Sequence, residues 1–229
     1  MSNRSVNFYR TDFFNRKNRK LVEFCKRGDK IAILKHIFEQ DLNHPSKWED
    51  ELFENRYGMQ VIYEAINSTG KKLAICDVAC GNGTLLKKLK SQGHIVAGID
   101  ISPVRVLLNR KNIGTMILAF VEDIPLPSES FDCVIVQECL EHVMDLDKSL
   151  REIWRILKKG GTVFCQVPDG NFADGVNHIR LFNKESLKQT FSVVGFKVIS
   201  VGLIPYLVGE GPYNIFLKAI KNELKSKIT

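Results

Sequence analysis

Apolar residues run along this chain in two rhythms, and the most informative stretch is where one gives way to the other. Residues 73–78, Leu-Ala-Ile-Cys-Asp-Val, are too few for a helix and rich enough in branched side chains for a buried strand. The run enters Ala79-Cys80-Gly81-Asn82-Gly83, where small residues allow close backbone approach. Leu85, Leu86 and Leu89 then fall at helical spacing, so a helix begins at the glycines. A strand, a glycine turn and a helix N-terminus together make a ligand cradle.

Downstream the alternation continues. Apolar runs predict strands at 95–99, 116–121, 131–136, 162–167, 197–201 and 213–220. Helical spacing predicts helices at 102–111, 147–157 and 183–194, the first with Ser102 as N-cap and Pro103 in its first turn. The second helix turns Leu150, Ile153, Trp154 and Leu157 inward and is expected to end near Lys158-Lys159, before Gly160-Gly161. This is an α/β pattern: a Rossmann-like sheet of seven strands with helices on both faces, over residues 71–229. Upstream, 19–25, 30–38 and 48–66 carry apolar residues at helical spacing, so residues 1–70 read as a helical N-terminal extension. Asn43-His44-Pro45-Ser46 breaks it, and Ser46 with Glu49 suits a capping box for its third helix.

A length of 229 residues with 44% apolar content allows one sizeable domain and a small appendage. No stretch of eighteen apolar residues exists and residues 2–10 are polar, so neither a membrane span nor a signal peptide is expected, and a cytoplasmic address is. The six cysteines lack Cys-x-x-Cys spacing and read as reduced core thiols. The net charge of +7 lies wholly in residues 1–36, which hold ten Lys/Arg against three Asp/Glu. That excess could meet RNA, a phosphorylated metabolite or an anionic lipid surface. A solvated helical face is preferred, because no aromatic-interleaved nucleic-acid motif accompanies the charge.

Which ligand the cradle takes depends on its details. A dinucleotide site wants Gly-x-Gly-x-x-Gly, but Leu86 stands at the third glycine, and the Asp77 carboxylate would repel a pyrophosphate. Asp77-x-Ala79-x-Gly81-x-Gly83 instead resembles the Asp/Glu-x-Gly-x-Gly-x-Gly signature of class I S-adenosylmethionine (SAM) dependent methyltransferases, with Ala at the first glycine. Leu126-Pro127 followed by Phe131-Asp132-Cys133-Val134 matches a second pattern of that family, in its methyltransferase type 11 and ubiquinone-biosynthesis branch. The resemblance covers residues 71–221 and implies a mostly parallel sheet with its last strand antiparallel. It implies SAM as cofactor, with Ala79, Gly81, Asn82 and Gly83 forming the turn beside it and Asp77 before that turn. Asp100, at the end of the second strand, would accept from both ribose hydroxyls. Ile101 would pack on the adenine, Asp123 would accept from its amino group, and the Ile124 amide would read a ring nitrogen. Gln137 and Glu138 would flank the methionine part.

The chemistry is expected at the end of the fourth strand. Glu138-x-x-Glu141-His142, with His178 later, resembles a set that holds a divalent cation in the ubiquinone-pathway O-methyltransferases and the small-RNA 2′-O-methyltransferases. Many relatives carry Glu-His here without a metal, so the preferred assignment is His142 or His178 as general base, with no metal site assigned; a structural role is the third reading. The expected activity is methyl transfer to a hydroxyl or amine of a small-molecule acceptor. The alternatives are a metal-assisted RNA 2′-O-methyltransferase and a SAM-binding regulatory protein without catalysis. Residues 1–70, with Phe13, Phe14, Trp48 and Tyr57, and the segments 169–180 and 203–212 are the expected places for a lid and for acceptor recognition. Sequence does not fix the oligomeric state.

Overall fold

A computed structural model describes residues 12–43, 56–171, 178–207 and 210–222. Two helices open it, α1 (Asp12–Arg27) and α2 (Lys30–Asn43), with Gly28 in a left-handed conformation between them and Asp29 accepting the Ala32 amide at the start of α2. They contain the helical segments expected at 19–25 and 30–38. Helix α3 (Tyr57–Asn67) is the described part of the third; Phe8, Tyr9, Trp48 and the Ser46 to Glu49 cap lie outside the described residues, as do the side chains of Phe13 and Phe14.

The sheet follows as β1 (Ala74–Val78), β2 (Ile95–Asp100), β3 (Thr115–Leu118), β4 (Phe131–Gln137), β5 (Leu157–Pro168), β6 (Phe196–Leu207) and β7 (Glu210–Lys221). Between them lie α4 (Thr84–Ser91), α5 (Pro103–Ile113), α6 (Leu146–Ile156) and α7 (Lys184–Val194). The strand order is β3-β2-β1-β4-β5-β7-β6, with β7 antiparallel to both its neighbours and the first five strands parallel. This is the Rossmann-like sheet with a reversed last strand that the resemblance implied.

Period-two alternation assigns the two faces. Ile75, Val96, Cys133, Ile135 and Phe164 pack under α3, α4 and α5 through Ile62, Ile66, Leu85, Leu86, Leu89 and Ile113. Cys76, Val78, Ile99, Val134, Val136, Val163 and Cys165 face Leu150 and Ile153 of α6 and Leu187 and Phe191 of α7. All six cysteines are free; five are buried and Cys80 is half-buried.

Several boundaries differ from expectation for identifiable reasons. Strand β3 stops at Leu118, where its partner β2 ends at Asp100, so the strand expected to reach 121 is cut short. The Lys158-Lys159-Gly160-Gly161 stretch continues β5 and does not close a helix: Leu157 already pairs with Phe131, and Lys158 forms an ion pair with Asp132. Residues 203–207, beyond the strand expected at 197–201 and part of the Gly- and Pro-rich segment expected to recognise the acceptor, extend β6 along β7. Strand β6 is the sheet edge, so the missing Pro205 N–H leaves no ladder bond unmade on its outer side.

Gly83 fixes the geometry of the turn after β1. It is the N-cap of α4 at φ +61°, and a Cβ there would lie 2.1 Å from Ile113 Cδ1, a side chain sealed in the core. Left-handed strain and forced repacking together set the expected cost of Gly83→Ala at about 2–4 kcal/mol. A urea-unfolding midpoint unchanged from wild type would contradict this.

Candidate active site

The order of strands reverses between β1 and β4, so the loops beyond their carboxyl ends diverge and leave a crevice. Asp77 lies one residue before the end of β1 and is 5% exposed. Three of the five residues from Ala79 to Gly83 have positive φ: Ala79 (+60°), Gly81 (+54°) and Gly83 (+61°). Ala79 carries real strain, since only glycine adopts that region without cost. The turn is held by the neighbouring strand: the Cys80 amide donates to Ile99 O (3.0 Å) and the Gly81 amide to Asp100 Oδ2 (2.8 Å).

Asp100 is therefore a junction. Its second oxygen accepts the Ser102 amide (2.8 Å), and Ser102 Oγ caps α5 by accepting from Arg105 N (3.1 Å). Two amides leave a carboxylate with further lone pairs. Burial pushes its pKa up, against the pull of Arg105 and the two amides.

Burial likewise pushes Asp77 from 3.8 to about 8, with Asp100 adding to the rise. The sign follows from linkage: between about pH 4 and pH 8 the unfolded chain gives up this proton while the folded one keeps it. Stability is thus expected to fall as pH rises through that window. Asp77→Asn should flatten the decline, read as melting temperature against pH; parallel profiles for the two proteins would refute it.

Asn82 and Ile101 are half-buried at this edge, and Asp123 is exposed at its rim. Ile124 differs from expectation: its side chain is core and its amide donates to Glu152 Oε2 of α6 (2.9 Å), so it is committed to the fold and not turned to a nucleobase. Phe120, which sequence reasoning passed over, has Lys30 of α2 4.9 Å above its ring.

At the end of β4, Glu138 is left-handed (φ +49°), a second strained position on the same edge. A polar ladder crosses the strands here. Gln137 Nε2 donates to Gln166 Oε1 (3.0 Å), and Glu138 Oε1 accepts from Gln166 Nε2 (3.1 Å) and Asn214 Nδ2 (2.6 Å). Gln137 Oε1 is buried without a partner among the described residues. Gln166 and Asn214 were not expected; the available signal was a glutamine in an otherwise apolar strand.

Beyond Glu138 the chain gathers a second group. Glu141 is 2% exposed, and among the described residues neither of its carboxyl oxygens has a hydrogen-bond donor. Desolvation first, then Glu138, holds its pKa well above the carboxylate range; the Cys139 and Glu141 amides lie close enough to oppose this without meeting hydrogen-bond geometry. His142 Nε2 is 3.7 Å from Glu141 Oε1, and the His142 and His178 rings are 5.1 Å apart. The potential ligand atoms of Glu141, His142 and His178 all lie within 4.8 Å of one another. Desolvation, His178 and Arg180 hold His142 below its ordinary pKa, though a side chain 40% exposed limits the drop.

His178 reaches this group because the residues after it are pinned: Ile179 N donates to Glu141 O (2.9 Å) and Arg180 Nη1 to Leu140 O (2.6 Å). Of the four-residue set suggested by sequence, the structure assembles three, and Glu138 Oε1 is bonded elsewhere.

The profile of a methyltransferase domain matches residues 76–165. A ubiquinone biosynthesis O-methyltransferase of Pseudomonas fluorescens is 36% identical over 120 residues, 48% of this chain and 50% of that protein. A ubiquinone/menaquinone biosynthesis C-methyltransferase of Vibrio cholerae is 35% identical over 98 residues, 38% of each. The chain thus spans about half the length of the curated relatives it matches, or less. Among solved structures, 1,6-didemethyltoxoflavin N1-methyltransferase of Burkholderia thailandensis, with S-adenosylhomocysteine bound, superposes with a TM-score of 0.63 at 18% identity, over 82% of this chain and 88% of that one.

Proposed function

We propose, on the premise that this chain belongs to the class I SAM-dependent methyltransferases, that it methylates a hydroxyl group of a small-molecule acceptor. The observation that carries this reading is the juxtaposition, on one sheet edge, of a carboxylate-anchored glycine turn and a buried carboxyl beside two imidazoles.

The residues of the first part suit SAM. Asp100 has acceptor capacity left for a vicinal diol, and the backbone at Gly81 and Gly83 admits close approach. Asp77, whose pKa burial and Asp100 push up, would be drawn back toward its ionised form beside a cationic amino group. Bound SAM supplies an electrophilic methyl carbon whose bond to sulfur breaks as the acceptor oxygen attacks. The chain's own task is to align the acceptor, exclude water and receive the hydroxyl proton. His142 suits the last role because its ring is neutral at pH 7 and half-exposed beside the buried carboxyl, with the His178 ring 5.1 Å away.

A second reading is favoured by the two unpartnered oxygens of Glu141. Buried carboxyl oxygens normally have partners, and one carboxyl beside two imidazoles is a set that suits Zn²⁺, Fe²⁺ or Mn²⁺ better than Mg²⁺. Glu141, His142 and His178 would hold such a cation, which when bound lowers the pKa of an acceptor hydroxyl.

The relatives' names suggest a quinone precursor or similar phenol as acceptor. Residues 1–70 would serve as lid and acceptor-recognition element. Among the described residues no helix is long and apolar enough to cross a membrane. Two measurements test the reading: calorimetry with S-adenosylhomocysteine, and isotopic methyl transfer from SAM into cell-extract metabolites. A folded sample that gives neither heat nor label would overturn it.

A further inference from the structure

The contact between α2 and the start of α5 has no place in the mechanism above. Asp41, in the last turn of α2, accepts a hydrogen bond from Ser102 Oγ and sits 3.4 Å from Arg105 Nε, with its side chain 13% exposed. Ser102 is the residue whose amide holds Asp100 Oδ1 and whose hydroxyl caps α5. A serine hydroxyl has one proton. Donating it to Asp41 leaves the oxygen lone pairs to receive Arg105 N–H, so the Asp41 contact sets the rotamer that makes the cap. From α2 an unbroken chain of hydrogen bonds therefore runs through Asp41, Ser102 and Asp100 to the Gly81 amide. Helix α2 touches the same edge again where Lys30 lies over Phe120.

We infer that Asp41 is a positioning residue for the cofactor site: it clamps α2 to the loop that carries Asp100, so that docking of the α1–α2 hairpin and binding of the nucleoside reinforce each other. This rests on the SAM reading of the site. Reciprocity follows from linkage, since a hairpin that raises nucleoside affinity when docked is itself docked more firmly by the nucleoside. Asparagine at this position keeps an acceptor for the Ser102 hydroxyl, whereas alanine does not. The clamp thus separates Asp41→Asn from Asp41→Ala, a distinction that loss of charge alone would not make.

The test uses the full chain and S-adenosylhomocysteine. Asp41→Ala is expected to weaken binding about tenfold and Asp41→Asn less than threefold, with kcat at saturating SAM within twofold of wild type for both. In hydrogen exchange, the ligand should slow the amides of residues 30–43 in wild type and not in Asp41→Ala. If Asp41→Ala unfolds, Ser102→Ala, which removes the same bond together with the α5 cap, is read in its place and should weaken binding at least tenfold; where both singles fold, the double variant should bind no more weakly than the worse single. Equal affinities for wild type and Asp41→Ala, or additive losses in the double variant, would overturn the clamp and leave the SAM reading intact. Absence of both heat and methyl transfer with wild type would remove both.

Discussion

Glu141→Gln is expected to melt about 2–6 °C above wild type in chelator-treated buffer and to turn over about a hundredfold to a thousandfold more slowly. The stability gain follows from the burial of Glu141. A carboxyl whose pKa burial and Glu138 raise well above the carboxylate range must take up a proton as the chain folds at pH 7, at a cost of about 1–2 kcal/mol, and glutamine is already neutral with the same shape. For a chain of this length each kcal/mol moves the melting temperature by about 2–4 °C. The functional loss follows from the roles proposed above, since Glu141 lies 3.7 Å from the His142 ring and would either orient that base or, with His142 and His178, hold a cation. Millimolar Mn²⁺ separates those roles, since it should raise the wild-type melting temperature and leave Glu141→Gln unmoved if the cation reading is right. S-adenosylhomocysteine affinity should stay within threefold. A variant that melts lower than wild type, or keeps full turnover, would show Glu141 to be ordinary framework.

The core of this fold was legible because β1, β2 and β4 are buried on both faces, and a strand in that position writes itself as an unbroken apolar run. The second half of the sheet was less so. Gly160-Gly161 and Pro205 carry turn chemistry; the glycines fall in the irregular stretch of β5 between Leu157, paired with Phe131, and Thr162, paired with Cys133, and Pro205 is tolerated at the sheet edge. The site divides the same way. Asp77, the glycine turn and Asp100 could be read because all sit next to strand ends that the apolar pattern marks. Gln166 and Asn214 could not, because their partner Glu138 is 28 and 76 positions away, and no periodicity records such a meeting. The Ile124 amide was misplaced for a related reason: whether a loop amide faces a ligand or a helix depends on Glu152, which belongs to a different element. Asp41 shows the limit most clearly, since helical spacing says which face of α2 is apolar and nothing about what that helix docks on.

Asp100→Ala should weaken S-adenosylhomocysteine binding on the order of a hundredfold, about 2.7 kcal/mol. Two losses combine in that figure. The Gly81 and Ser102 amides lose the acceptor that fixes the turn against α5, and the nucleoside loses its diol partner. The first loss alone would make Asp100 a structural clip, and affinity by itself cannot tell the two apart. A 2′-deoxy analogue can. If Asp100 receives the ribose hydroxyl, wild type should prefer the natural ligand by at least tenfold and Asp100→Ala should bind both alike. Asp100→Asn should fall between, because its amide can accept at one oxygen but turns an N–H toward either Gly81 or Ser102, placing donor against donor. Unfolding of the ligand-free variants should change little at pH 8, since the lost amide bonds are offset by relief of a buried charge whose pKa the site already raises. A preference for the 2′-hydroxyl that survives in Asp100→Ala would place the sugar elsewhere on the edge, and with it the whole orientation of the nucleoside across β1 and β2.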